Sequence, residues 1–163
     1  MRRSLPGTLA LLLAVPGTGA ARSLSVEGPV ETAFHVRRAV RGAARLLERP
    51  ECARVLSDFA DRAGRSLQAV LDTRGERGHE YVQGLRYEGP PPFSPCRKRE
   101  VLAFTRPGAD VVFVCTQFTS VARANPPLAQ SILIHEMLHT LGLGEDPPTT
   151  YEITRQVERR CAH

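Results

Sequence analysis

Lysine is almost absent from this chain. Lys98 is the only one, so arginine supplies nearly all of the 22 basic residues that stand against 17 acidic ones for a net charge of +5. These arginines are spread along stretches of helical spacing and are not clustered with aromatic residues. That argues against a nucleic-acid-binding surface and for a solvated one. Long apolar runs are also lacking, and the short N-terminal one, Leu9 to Val15, cannot span a bilayer. No two of the four cysteines have C-x-x-C spacing, which removes a four-cysteine zinc site. Internal repeats and low-complexity segments are absent as well. The 163 residues suffice for one domain with a real core and are too few for two ordinary ones.

Residues 1–21 read as a signal peptide. Arg2 and Arg3 form a positive start, Leu9 to Val15 the apolar segment, and Thr18-Gly19-Ala20-Ala21 the small residues for cleavage. Losing Arg2 and Arg3 takes the net charge from +5 to +3. The expectation is an exported, secreted or periplasmic protein with no membrane insertion, its single domain spanning residues 22–163. Cys52, Cys96, Cys115 and Cys161 form an even set, which in an exported protein predicts two disulfides.

Residues 22–30 read as an extended, mobile leader. Thr32 to Glu48 reads as an amphipathic helix, with Phe34, Val36, Ala39, Val40, Ala43, Leu46 and Leu47 on the dry face and Arg37, Arg38, Arg41 and Arg45 on the wet one. His35 and His79 carry no partner motif and are read as structural or solvent-facing. Pro50 ends that helix, Glu51 to Ala60 forms a second, and Ser66 caps a third through Asp72. Glu80 to Glu88 alternates weakly and is a candidate strand. Glu100 to Thr105 and Asp110 to Thr116 are clearer strands, and Arg106-Pro107-Gly108-Ala109 between them signals a hairpin turn. Cys96 and Cys115 then fall at the same end of the hairpin, which favours Cys96–Cys115 and leaves Cys52–Cys161. Thr149-Thr150-Tyr151-Glu152 fits a capping box opening a last helix to about Arg160. The fold class expected is α+β, with a small, mostly antiparallel sheet packed on a buried helix and flanking helices.

That buried helix lies in Asn125 to Asp146, NPPLAQSILIHEMLHTLGLGED. Asn125 is a good N-cap, Pro126 suits the first helical position, and Gly142 suits a left-handed stop. The residues between are apolar on most sides. Within them stands His135-Glu136-Met137-Leu138-His139, an H-E-x-x-H. Two histidines four apart share one face of a helix and can hold one metal ion. Glu136 is the one carboxylate of an apolar helix, a costly placement unless a cation is near.

HEMLHTLGLGED resembles the zincin metallopeptidases, and its extension resembles the metzincin-type pattern H-E-x-x-H-x-x-G-x-x-ligand. No methionine follows the helix, so the Met-turn of metzincins is missing. The resemblance implies a minimal zincin-like fold and a peptidase acting on peptide or protein substrates. One catalytic Zn2+ would be bound by His135, His139 and a third ligand, with Glu136 as general base. Gly142 matches the pattern's glycine, and Glu145 stands at the third-ligand position. Asp146, one residue on, and Glu152, placed as in the gluzincin arrangement, remain alternatives. Tyr151 is the candidate oxyanion donor. The resemblance further implies a substrate strand laid along a sheet edge, at Asp110 to Thr116 or its partner. A monomer is expected. No cysteine precedes Cys52 to block the zinc. Two other readings stay open: a metal-binding module without turnover, which has no need of Glu136, and an amidase acting on cell-wall peptides.

Overall fold

A computed structural model describes residues 23–161; residues 1–21, the proposed signal peptide, lie outside them. The described chain is α+β. It opens with β1 (Ser25–Val26) and α1 (Val30–Leu47), and continues through α2 (Pro50–Ala53), α3 (Val55–Asp58), α4 (Leu67–Arg74) and α5 (Gly78–Gly84) to β2 (Arg86–Glu88). A 3-10 turn at Pro95–Arg97 precedes the hairpin of β3 (Ala103–Phe104) and β4 (Val111–Val114). Three helices close the chain: α6 (Phe118–Ala124), α7 (Pro126–Thr140) and α8 (Thr150–Cys161).

The four strands form one sheet in the order β1-β2-β4-β3. β1 pairs with β2 and β2 with β4 in parallel, while only β3 and β4 are antiparallel, so the sheet is mixed and not mostly antiparallel. Parallel neighbours need a crossover of a dozen or more residues, and α1 to α5 supply the first one. The 22–30 leader is partly recruited: Glu27 N–H donates to the Tyr87 carbonyl at 2.8 Å beyond the paired Ser25–Val26. The hairpin forms as expected, with Ala103 opposite Val114 and Phe104 opposite Phe113. β3 is therefore an edge of the sheet and β4 an interior strand.

Three local readings are corrected. Glu80 to Glu88 is a strand only at its end. Tyr81, Val82 and Leu85 are buried at helical spacing, and Glu80 accepts from the Arg77 backbone N–H at 3.0 Å to close the first turn of α5. Glu51 to Ala60 breaks into α2 and α3, where the ladder tightens at Arg54: Ser57 N–H reaches the Arg54 carbonyl at 2.9 Å. In α1 the four arginines face solvent as expected, but Phe34, expected on the dry face, is 55% exposed; His35 is buried, one of the two roles expected for it.

The core gathers around α7, which packs on α1, α6 and α8. Leu133, Ile134, Met137 and Leu138 are fully buried. Gly42 allows the close crossing of α1, since a Cβ there would lie 2.4 Å from the Gln130 side chain. Both favoured disulfides are present, Cys52–Cys161 and Cys96–Cys115, with no free cysteine among the described residues. The first ties α8 to α2. Bidentate bonds from Arg160 to Asp58, both at 2.7 Å, tie α8 to α3 as well. Among the described residues no helix is long and apolar enough to cross a membrane.

Candidate metal centre

α7 begins and ends where its sequence dictates. The Asn125 side chain accepts the Leu128 N–H at 3.2 Å, with Pro126 in the first turn. At the other end Gly142 takes φ 105°. Gly142 N–H then reaches the His139 carbonyl at 2.9 Å and Leu143 N–H the Leu138 carbonyl at 3.2 Å. That pair of bonds is a Schellman stop, and the buried Leu138 and Leu143 provide its apolar contact. The chain is thereby folded back over the last turn of the helix, where His139 stands.

His135 and His139 lie one turn apart on the same face, 7% and 5% exposed. His139 Nδ1–H donates to the Leu143 carbonyl at 2.8 Å. A carbonyl only accepts, so the lone pair of this imidazole is left on Nε2. His135 Nδ1 pairs with the Thr154 hydroxyl of α8 at 3.1 Å. The two Nε2 atoms face each other at 3.0 Å. Glu145, brought back by the Gly142 stop, places Oε1 3.2 Å from His139 Nε2 and 3.8 Å from His135 Nε2. Thr150 Oγ1–H holds that oxygen at 2.8 Å. His135, His139 and Glu145 thus bring their donor atoms within 4.8 Å of one another, and among the described residues they are the one such group that could hold a metal ion.

The other expected residues separate cleanly. Glu152 is engaged by Thr149, whose backbone N–H and hydroxyl donate to it at 2.8 and 2.9 Å, while Glu152 N–H returns a bond at 3.3 Å. This is the capping box, and it holds the Glu152 carboxyl below its usual range. Asp146 stands outside the group. Tyr151 is 67% exposed under the Arg155 guanidinium and does not line the site.

Burial pushes His135 down to about 4, aided by His139 and opposed by the charge of Glu145, so its ring is neutral near pH 7. Burial also pushes Glu136 up to about 8, Glu145 adds to the rise, and the Thr105 backbone N–H opposes it. A neutral His135 ring offers a lone pair to a cation, and a carboxyl poised near neutrality can take and return a proton.

These groups sit in a cleft of about 600 Å³. Its α7 wall carries Leu128, Ser131, Ile132, His135, Glu136 and His139. The segment Glu100 to Thr105, including β3, forms a second wall, and Thr150, Thr154, Glu145 and Arg62 complete it. The hairpin is pinned to the helix end by Gly108 N–H donating to the His139 carbonyl at 2.9 Å. Thr105, Thr154 and Arg62 are site residues that the sequence motifs do not single out. Thr150 and Thr154, four apart in α8, are a signal that could have shown the face turned to α7. Arg62 carries no local signal. Comparison of the chain with models of known protein families, with curated proteins and with solved structures finds no match.

Proposed function

We propose that this chain is an exported zinc-dependent peptidase, with His135, His139 and Glu145 as metal ligands and Glu136 as general base. The observation that carries this reading is the convergence of two imidazole nitrogens and a carboxylate oxygen beside a buried glutamate, in a cleft bordered by a sheet edge. Two imidazoles and a carboxylate suit zinc and leave a fourth position open. Tetrahedral ligands 2.0–2.1 Å from zinc lie roughly 3.3–3.4 Å apart, and the separations of 3.0, 3.2 and 3.8 Å bracket that value. The resemblance of HEMLHTLGLGED to the zincins points the same way.

When bound, zinc supplies Lewis acidity, which acidifies water and polarises a carbonyl. Glu136 takes the proton of the attacking water on its carboxylate and returns it to the departing amine. The Thr105 backbone N–H holds the Glu136 carboxyl in place. Leu143 and Thr154 orient the two imidazoles from behind, and Thr150 orients Glu145, the kind of outer support that metal ligands depend on. β3 lines the cleft at the sheet's edge, so an extended peptide can add to it as a further strand. The two disulfides suit an oxidising compartment.

The test uses oxidised, zinc-loaded protein and casein, wild type beside Glu136→Ala. Both should bind one zinc, and the variant should cleave about 10²–10⁴-fold more slowly. A wild type that holds zinc and leaves casein intact rejects the general peptidase reading in favour of a module without turnover or an amidase of narrower substrate.

A further inference from the structure

We infer that Arg62 is a specificity-determining residue, a fork for a carboxylate of the peptide lying in the cleft. This rests on the peptidase reading and adds the substrate class to it. Arg62 is exposed, and among the described residues it is the only arginine or lysine lining the cleft. It makes no hydrogen bond or ion pair among the described residues.

Its position is built. The Asp61 carboxylate accepts the backbone N–H groups of Ala63 and Arg65 and the Arg65 Nε–H, each at 2.9 Å, and Asp61 N–H donates to the Arg65 carbonyl at 2.8 Å. Arg62 is thus carried on a tight turn whose own acid is already spent on Arg65. The turn rests on the loop that closes the metal group. A Cβ on Gly142 would lie 3.1 Å from Asp61 Cβ, and one on Gly144 would lie 3.5 Å from Arg62 Nε. Glu145, one residue further, does not capture the guanidinium within ion-pair distance and turns Oε1 to Thr150 and His139 instead. An unpaired guanidinium on a rigid turn beside the reacting centre matches the planar, two-oxygen geometry of a carboxylate. Leu128 and Ile132 line the cleft towards the start of α7, while the cation, beside Gly144, stands at the end that holds the histidines. The carboxylate has two possible sources, an acidic side chain near the cut bond or a free peptide C-terminus.

The experiment has a binding arm and a cleavage arm. For binding, one fluorescent alanine-rich peptide is made in three forms: free C-terminus without acidic residues, C-terminal amide without acidic residues, and C-terminal amide with an internal aspartate. Kd is measured on zinc-loaded Glu136→Gln protein with and without Arg62→Ala. At least one carboxylate form should weaken about tenfold in the Arg62→Ala background, the worth of about 1.4 kcal/mol, while the acid-free amide is unchanged; the form that weakens identifies the source. Arg62→Lys should restore only part of the loss, because it keeps the charge without the fork. In the cleavage arm, casein cut sites are mapped for wild type and Arg62→Ala, whose thermal midpoints should match because Arg62 makes no internal bond. Indifference of all three peptides to Arg62, with cut sites and rates also unchanged, overturns the inference and leaves the peptidase reading standing. Casein left whole by the wild type, with an Arg62-dependent preference for a carboxylate peptide, removes the peptidase reading and keeps the carboxylate site.

Discussion

α1 and α7 cross at the centre of the molecule, and both bury histidine, yet the two helices handle it differently. α1 is amphipathic in the ordinary way, with its alanines, Val36, Val40 and Leu47 inward and Arg37, Arg38, Arg41 and Arg45 in water. Its His35 has a ring edge against Phe34 and a buried Nδ1 without a hydrogen-bond partner among the described residues. α7 has little wet surface, and its polar side chains His135, Glu136 and His139 are buried with it. Each imidazole there has its Nδ1 engaged and its Nε2 aimed at the other's. Burial alone accounts for the histidine of α1. It does not account for three ionisable groups brought together in α7, where the desolvation cost is high unless a cation repays it.

The contrast breaks most sharply on ligand removal. His135→Ala or His139→Ala should abolish stoichiometric zinc binding and reduce casein cleavage to background, as read by metal analysis after dialysis. His35→Leu should keep the zinc and raise stability by about 1 kcal/mol, since it removes an unsatisfied buried polar atom. Loss of zinc in His35→Leu would erase the distinction between the helices.

A second effect concerns pH in the metal-free protein. Glu136 is raised to about 8, so its contribution to stability is full below its unfolded value of 4.5 and is lost as pH rises through 8. His135 is lowered to about 4, so its contribution is present above 6.5 and is lost as pH falls towards 4. Between pH 6.5 and 8 only the first of these two acts. Urea midpoints of the apo-protein should therefore fall across that window, by up to about 1.4 kcal/mol per pH unit. Glu136→Gln should flatten this slope. Zinc should flatten it too, because a nearby cation favours the carboxylate. A slope that survives Glu136→Gln would assign the titration elsewhere.

Support from α8 is the smaller term. Thr154→Val removes the partner of His135 Nδ1 and should weaken zinc by about 10-fold, the low end for loss of an orienting group.

Much of α7 is legible in the amino-acid sequence, because its signals are local. Asn125, Pro126 and Gly142 mark the ends, His135 and His139 share a face by spacing alone, and Thr149 with Glu152 declares the next helix. The hairpin turn and the cysteine pairs are legible for the same reason. The parallel pairing of β1, β2 and β4 is not, since Ser25 and Arg86 lie 61 positions apart in the chain and no local pattern encodes their meeting. Tyr81 and Val82 suit strand and helix alike, and packing decides between them. Arg62 reaches the cleft only because the turn at Asp61 rests on Gly142, a contact between segments far apart in the chain.

The central claim is that Glu145, and not Glu152, completes the metal group. Zinc affinity of wild type, Glu145→Ala and Glu152→Ala, measured by competition with a chelating dye, tests it directly. The account predicts one zinc per wild-type chain, affinity weakened by at least about tenfold in Glu145→Ala, and unchanged affinity in Glu152→Ala, which should lose only the ~1 kcal/mol of a helix cap. Zinc lost in Glu152→Ala and kept in Glu145→Ala, or no zinc bound by the wild type, would contradict it.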